Sequence, residues 1–324
     1  MKTALITGIN GQDGSYLCEH LLQEGYKVYG ILKRNSVTEN QTFRINSIFD
    51  EIADNLEYAD LTDMPSLLRL ISTIKPDHLY NLGAQSHVQI SFNQPVYTSK
   101  TISEGTINLL ECIKSSSPKT KFYQASSSEM FGNSIEKDGF QRESTPMIPV
   151  SPYGSAKLFA YNIVRIYRKS YKIFASNGIL FNHESPRRGI NFVTNKIARE
   201  AVMIKNGLSD KLVLGNLQAK RDWGHAKDYV RAMEMILNHK EPDDFVCATG
   251  QTHSVQDFCD YVFKKLNIPM NKIETSSKYL RPYELEELKG DFSKLKNATG
   301  WKPEYTFHEM IDEMIEHWEK NISK

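Results

Sequence analysis

Long apolar runs are missing from this 324-residue chain. No window approaches the roughly 18 consecutive apolar residues a membrane span requires. The opening MKTALITG holds only a few apolar residues before its first glycine, so no secretory leader is expected and the chain reads as cytoplasmic. Net charge is equally scarce: 40 basic residues against 39 acidic ones leave +1, which removes any whole-chain reason to expect nucleic acid or an anionic membrane as partner. A small-molecule substrate fits better. The four cysteines, Cys18, Cys112, Cys247 and Cys259, stand far apart with no C-x-x-C pair. That pattern suggests neither a zinc site nor a disulfide framework, so no metal is expected and the thiols read as buried. Internal repeats and low-complexity stretches are also lacking. One polar segment, KRNSVTENQTFR at 33–44, reads as a surface loop.

What is present is alternation. Short β-rich runs at 4–7, 27–32, 77–82, 121–126 and 172–180 are separated by helical patterns near 14–24, 64–74, 101–115 and 154–170. This βαβα order predicts an α/β fold, a Rossmann-type doubly wound parallel sheet with helices on both faces and a ligand at the carboxyl ends of the strands. After about residue 182 the pattern becomes mixed, with helices near 192–205, 227–238, 254–266 and 307–320. We expect a cofactor-binding domain over 1–181 and a smaller mixed α/β substrate lobe over 182–324, some segments of which return to the first domain.

The segment ALITGINGQDGSYL places Gly8, Gly11 and Gly14 between a strand and a helix. Side chains at these positions would block the tight turn or the approach of a pyrophosphate, which the helix N-terminus would hold. A plain glycine-rich turn is the competing reading. At the end of the second strand, where an acidic residue would select NAD, the sequence has Lys33 and Arg34, which suit the 2′-phosphate of NADP. Asp60 and Leu61 follow the third strand, where an adenine edge would lie.

Two further stretches look like one site written in two pieces. Tyr153 and Lys157 in SPYGSAK are spaced i, i+4, so both can lie on one helix face. A phenol is a poor base at neutral pH, but a neighbouring ammonium and a positive nicotinamide favour its phenolate. In ASSSEMFG, a serine hydroxyl at a strand end can bond an oxygen that becomes a carbonyl. Glu129 can remove the proton made acidic by that carbonyl and protonate a leaving hydroxyl, which separates elimination from simple redox. Ser127 and Glu129 would serve equally as an N-cap and first turn.

Taken with NLGAQSHVQISF, FNHESPRRGINFVTNKI, LGNLQAKRDWGHAKDYVRAM and TGQTHSVQDF, these motifs make nearly the whole chain resemble the extended short-chain dehydrogenase/reductases, and within them the GDP-mannose 4,6-dehydratase family. The resemblance implies catalytic roles for Ser127, Glu129, Tyr153 and Lys157 and a resident NADP. That cofactor would be held by Gly8, Asn10, Gly11, Gln12, Asp13, Gly14, Arg34, Asp60, Leu61, Leu82, Ala84, Gln85, Ser86, Tyr97, Tyr153, Lys157, His183 and Arg188. It implies a GDP-sugar substrate met by Ser86, Ser127, Glu129, Asn182, Lys196, Leu214, Gly215, Arg221, Arg281 and Glu284. It further implies a homo-oligomer, dimer or tetramer, with the 33–44 loop reaching toward a neighbour's cofactor. Three positions depart from the family pattern: Gly83 for alanine, Ser127 for threonine in many members, and Val150 for an arginine, the last expected to alter the surroundings of the sugar. The implied reaction is dehydration of GDP-mannose. The same chemistry on another GDP-sugar such as a GDP-manno-heptose, an epimerase, and a non-catalytic NADP- or nucleotide-sugar-binding protein are the alternatives.

Overall fold

The computed structural model describes residues 1–36, 41–280 and 283–322. Its centre is a seven-stranded sheet whose strands we number β1 (Thr3–Thr7), β2 (Lys27–Leu32), β3 (Leu56–Tyr58), β4 (His78–Asn81), β5 (Lys121–Ser127), β6 (Ala175–Leu180) and β7 (Asp244–Cys247). They run in the order β7-β6-β5-β4-β1-β2-β3, every neighbouring pair parallel. Strands β4 and β6 are buried at every residue, and β1 and β5 at every residue after their first. Burial on both faces is why they read as continuous runs and not as an alternating pattern.

Helices cover both faces. On one side α1 (Gln12–Gln23) packs with the helix Ala226–Asn238 through Tyr16, Leu17, Leu21, Met233 and Ile236. On the other, the helices Met64–Ile74, Gly105–Ser116 and Pro152–Tyr171 supply Leu67, Leu70, Leu109, Ile113 and Val164. A further core is built from the helices Val193–Lys205, Val255–Leu266 and Phe307–Asn321, where Ile197, Ala201, Phe258, Val262, Met310 and Met314 meet Trp223. Capping boxes, Ser254 with Asp257 and Thr306 with Glu309, start two of these helices.

Two strands were not among the sequence candidates as runs of their own. Strand β3 has three residues and β7 four, too short to establish a period, and β7 joins the sheet edge 64 positions after β6 ends (Leu180 to Asp244). The helical stretch expected from 101 is led by a π-helical turn over Lys100–Glu104. Residues 37–40 of the polar loop lie outside the described residues. Among the described residues no helix is long and apolar enough to cross a membrane, and all four cysteines are free and buried.

Candidate active site

The chain leaves β1 at Thr7 and enters α1 where the strand order reverses between β1 and β4, the switch point at which such sheets bind ligands. Gly8 has φ +69°, and a Cβ there would lie 3.0 Å from the Gly83 Cα. Gly14 is tighter still: its Cβ would lie 2.3 Å from the Gly8 carbonyl oxygen. Thr7 fastens the two strand ends together by donating to Asn81 Oδ1 (2.8 Å) and accepting from the Leu82 and Gly83 N–H groups (3.0 and 2.9 Å). Because the N-cap of α1 is Gly11, no side chain satisfies the first-turn N–H groups. They lie along a chamber of about 380 Å³ and, with the helix dipole, suit a phosphate.

Of the residues expected at the cofactor, Gly8, Asn10, Gly11, Gln12, Asp13, Gly14, Asp60, Leu61, Leu82, Ala84, Ser86, Tyr97 and Arg188 line this chamber. Arg34 does not; its guanidinium stands 6.0 Å from the ring of Tyr58 on the edge strand. Its neighbour Lys33 does, pairing with Asp60 at 3.0 Å and donating to the Tyr97 hydroxyl at 3.1 Å. Gln85 also stays out, its amide donating to the His87 carbonyl and the Thr98 hydroxyl. Arg44 and Arg187 line the chamber without having been singled out, with Arg44 Nε donating to the Arg187 carbonyl at 2.8 Å. A solitary arginine at the end of a polar loop carries no spacing signal. An alanine in place of Gly83 would put its Cβ 3.0 Å from Leu61 Cδ1, so Leu61 would have to give way by a few tenths of an ångström.

A second chamber, about 530 Å³, shares Asp13, Leu82, Ala84, Ser86, Arg188 and Phe192 with the first. Ser127, Glu129, Tyr153 and Lys157 all line it. Strand β5 ends at Ser127 and passes directly into a 3-10 turn, Ser128–Met130, in which Ser127 Oγ accepts from the Glu129 N–H at 3.2 Å. Ser127 therefore caps the turn and faces the chamber at once. The helix Pro152–Tyr171 starts with Ser151 Oγ accepting from Gly154 N–H at 3.0 Å and presents Tyr153 and Lys157 side by side. A Cβ on Gly154 would sit 2.7 Å from the Glu129 carbonyl oxygen, so the two pieces of the site meet main chain to main chain.

Electrostatically, burial dominates the pair. Burial pushes the Tyr153 phenol up to about 12; the Ser127 hydroxyl bonded to it works against the rise and the Glu129 carboxylate adds to it. Burial lowers the Lys157 ammonium to about 8, with Asp13 opposing. Lys157 Nζ lies 5.7 Å from the centre of the Tyr153 ring and donates instead to the Ala125 carbonyl at 2.7 Å. Burial sets the shift, while the Ala125 carbonyl holds the ammonium, and the phenol is protonated at rest.

The rest of the second chamber carries Asn182, Lys196, Leu214, Gly215, Arg221 and Glu284, together with His183, which lines this chamber and not the first. Arg221 donates to Glu284 Oε1 at 3.2 Å and to the Leu285 carbonyl at 3.0 Å, and Lys196 Nζ sits 3.8 Å from the Tyr279 ring centre. Arg281 lies outside the described residues. Next to Arg221, the fully buried Asp222 accepts from the Thr249 N–H and hydroxyl, from Gly250 N–H and from Gly290 N–H, at 2.8, 2.6, 2.9 and 3.3 Å. Val150 is not in the chamber wall; it packs against the cluster of Met130 and Phe131, behind the Glu129 turn. His87, Gln89 and Tyr279 line the chamber and were missed, since nothing in their spacing sets them apart.

A doubly wound sheet with an uncapped glycine turn at its switch point, and a tyrosine–lysine helix facing a serine and a carboxylate, defines an extended short-chain dehydrogenase/reductase. Solved structures agree: the chain matches dTDP-glucose 4,6-dehydratase from Bacillus anthracis, in complex with NAD, with a TM-score of 0.85 and 25% identity over 99% of this chain and 97% of that one. The family model for GDP-mannose 4,6 dehydratase matches residues 5–314. GDP-mannose 4,6 dehydratase 2 of Arabidopsis thaliana is 49% identical over 97% of this chain and 86% of its own length. The GDP-mannose 4,6-dehydratase of Vibrio cholerae is 46% identical over 97% and 93%. The chain belongs to the GDP-mannose 4,6-dehydratase family.

Proposed function

We propose that the protein is a lyase that removes water from GDP-mannose, giving GDP-4-dehydro-6-deoxy-D-mannose, with an NADP that is regenerated in every turnover. The observation that carries this reading is the placement of Glu129 with Ser127, Tyr153 and Lys157 on one chamber whose wall is shared with the glycine-turn chamber. The Gly8 and Gly14 positions, which a Cβ would fill with a clash, and the uncapped start of α1 fit a dinucleotide diphosphate. Lys33, Arg44 and Arg187 line the same chamber as cations for its phosphates. Bound there, NADP supplies a hydride acceptor for C4 and afterwards a hydride donor for C6.

The chain's own residues do the proton work. Ser127 orients the C4 oxygen, and Tyr153 takes the proton of the C4 hydroxyl. The Lys157 ammonium and the positive charge of an oxidised nicotinamide offset the burial that holds the phenol near 12. The ketone at C4 acidifies the C5 hydrogen. Glu129 removes it and delivers a proton to the departing C6 hydroxyl, which leaves as water. Electrons and protons balance: the hydride removed from C4 returns to C6, and Tyr153 gives the proton it took from the C4 hydroxyl to C5, which restores the phenolate. Arg221 and Lys196 are the donors for the substrate diphosphate.

Mass spectrometry after incubation with GDP-mannose and, separately, a GDP-manno-heptose, without added reductant, tests this. Loss of one water from GDP-mannose at about 1 per second or faster is the expected result. Water loss from the heptose alone overturns the sugar assignment and keeps the residue roles. No turnover with NADP retained leaves a binding protein.

Phe159 and Ile166, 44% and 51% exposed, share one face of the helix Pro152–Tyr171, and Val96 stands 68% exposed on a turn packed against that helix. We infer from this apolar face that the protein works as a homo-oligomer. Light scattering at micromolar concentration is expected to give a dimer or tetramer mass; a monomer mass rejects the inference.

A further inference from the structure

Asp13 stands in the wall common to both chambers. One of its oxygens accepts from Gln12 Nε2 at 2.9 Å, and the other lies 2.8 Å from His183 Nε2. The second ring nitrogen of His183, Nδ1, lies 2.7 Å from the carbonyl oxygen of Phe181. A carboxylate and a carbonyl only accept, so each ring nitrogen must carry a hydrogen, and an imidazole with two N–H groups is a cation. A neutral ring would set a lone pair against an oxygen lone pair at one of these contacts. The ring cannot escape to solvent, being 8% exposed and stacked on Tyr229 with centroids 4.5 Å apart and planes at 21°.

The groups facing this ring come from three directions. Asp13 approaches from α1, Arg188 from the segment that follows the strand Asn182–Glu184, and Tyr229 from the helix Ala226–Asn238. Burial and Arg188 disfavour the charge, whereas Asp13 and the Phe181 carbonyl favour it, and the net displacement is upward. Asp13 is correspondingly held down at about 2 despite its burial, with His183 the main charge lowering it, helped by Gln12 and Arg188.

We propose that His183 is a permanently protonated counter-charge whose task is to neutralise Asp13, so that an acidic side chain can stand between a dinucleotide diphosphate and the Tyr153–Lys157 pair. This deepens the dehydratase reading and rests on it. His183 acts through Asp13 and is a positioning residue. Without it, Asp13 would repel the diphosphate at the start of α1 and hold the proton of Tyr153 more firmly. The Asp13 charge already adds to the rise of the phenol, alongside Glu129 and against Ser127 and Arg188, and it opposes the lowering of the Lys157 ammonium.

The charge state can be read without catalysis. In imidazole-15N-labelled protein at pH 7.5 or about there, with the His183 signals identified by their loss in His183→Asn, both nitrogens of His183 are expected to carry protons. A ring nitrogen without one overturns the proposal, whatever the protein turns over. Kinetically, His183→Asn is expected to move the acid limb of kcat/KM upward by about one pH unit, roughly a fivefold loss at the present midpoint and about tenfold well below it. It should also raise the KM for added NADP. Adding Asp13→Asn should bring the limb back down, because the uncompensated charge is gone. A limb that stays put in the single variant, or stays displaced in the double one, overturns the proposal. A failure of the dehydratase reading is distinct, since it appears as absent water loss in the unsubstituted protein.

Discussion

Replacement of Glu129 by glutamine is expected to lower the rate of water loss by about 10²–10⁴-fold, the usual contribution of a positioned acid–base group, while leaving fold and cofactor retention intact. The amide has nearly the carboxylate's shape, so the buried turn Ser128–Met130 and its contact with Gly154 are preserved. What it lacks is a basic oxygen for the C5 proton. Oxidation at C4 depends on Tyr153 and precedes that step, so a single turnover should stop with the cofactor reduced. Near-ultraviolet absorbance would show the reduced nicotinamide accumulate, and mass spectrometry would show no loss of water. Dehydration at the normal rate in this variant sinks the assignment of Glu129.

The largest loss of stability is expected at Asp222, whose carboxylate accepts four hydrogen bonds from Thr249, Gly250 and Gly290 with no exposure to solvent. Asp222→Ala leaves three main-chain N–H groups without their acceptor, that of Gly290 in a buried contact and those of Thr249 and Gly250 in partly buried ones. Each costs about 1–3 kcal/mol, and water entering the vacated space recovers part of that, so roughly 3–5 kcal/mol is expected overall. Asp222→Asn keeps one acceptor oxygen and should fall between. Urea unfolding midpoints would order the three proteins, and an alanine variant as stable as the parent would refute the account. Because Arg221 precedes it, binding of GDP should weaken in whatever fraction stays folded.

How far the sequence carried depended on what each residue's neighbours could reveal. The helix at 64–74 is found where the pattern put it, since Leu67, Leu70, Ile71 and Ile74 recur on one face over about two turns. The glycine turn and the tyrosine–lysine spacing were legible because each is a local geometric demand. Lys33 and Arg34 could not be told apart in advance: successive side chains leaving a strand point to opposite sides, and Lys33 faces the chamber. The protonated state of Tyr153 is set by packing around it, to which the four-residue spacing is blind. Val150 looked like a change beside the sugar, but the loop that carries it folds back so that the side chain joins Met130 and Phe131.

The close approach of Gly154 to the Glu129 carbonyl also says what sets the ruler of this site. The twenty-odd residues that separate the carboxylate from the tyrosine in sequence, looping out from Gly132, do not determine how far apart the two side chains stand. That loop is closed at its own base, where a Cβ on Gly132 would collide with the Ile148 carbonyl. Gln141 and Val150 tie the rest of the loop to Lys289 and to the Met130–Phe131 cluster, so the exposed tip at Lys137 and Asp138 is the place where insertions can be made without moving an acid away from a base.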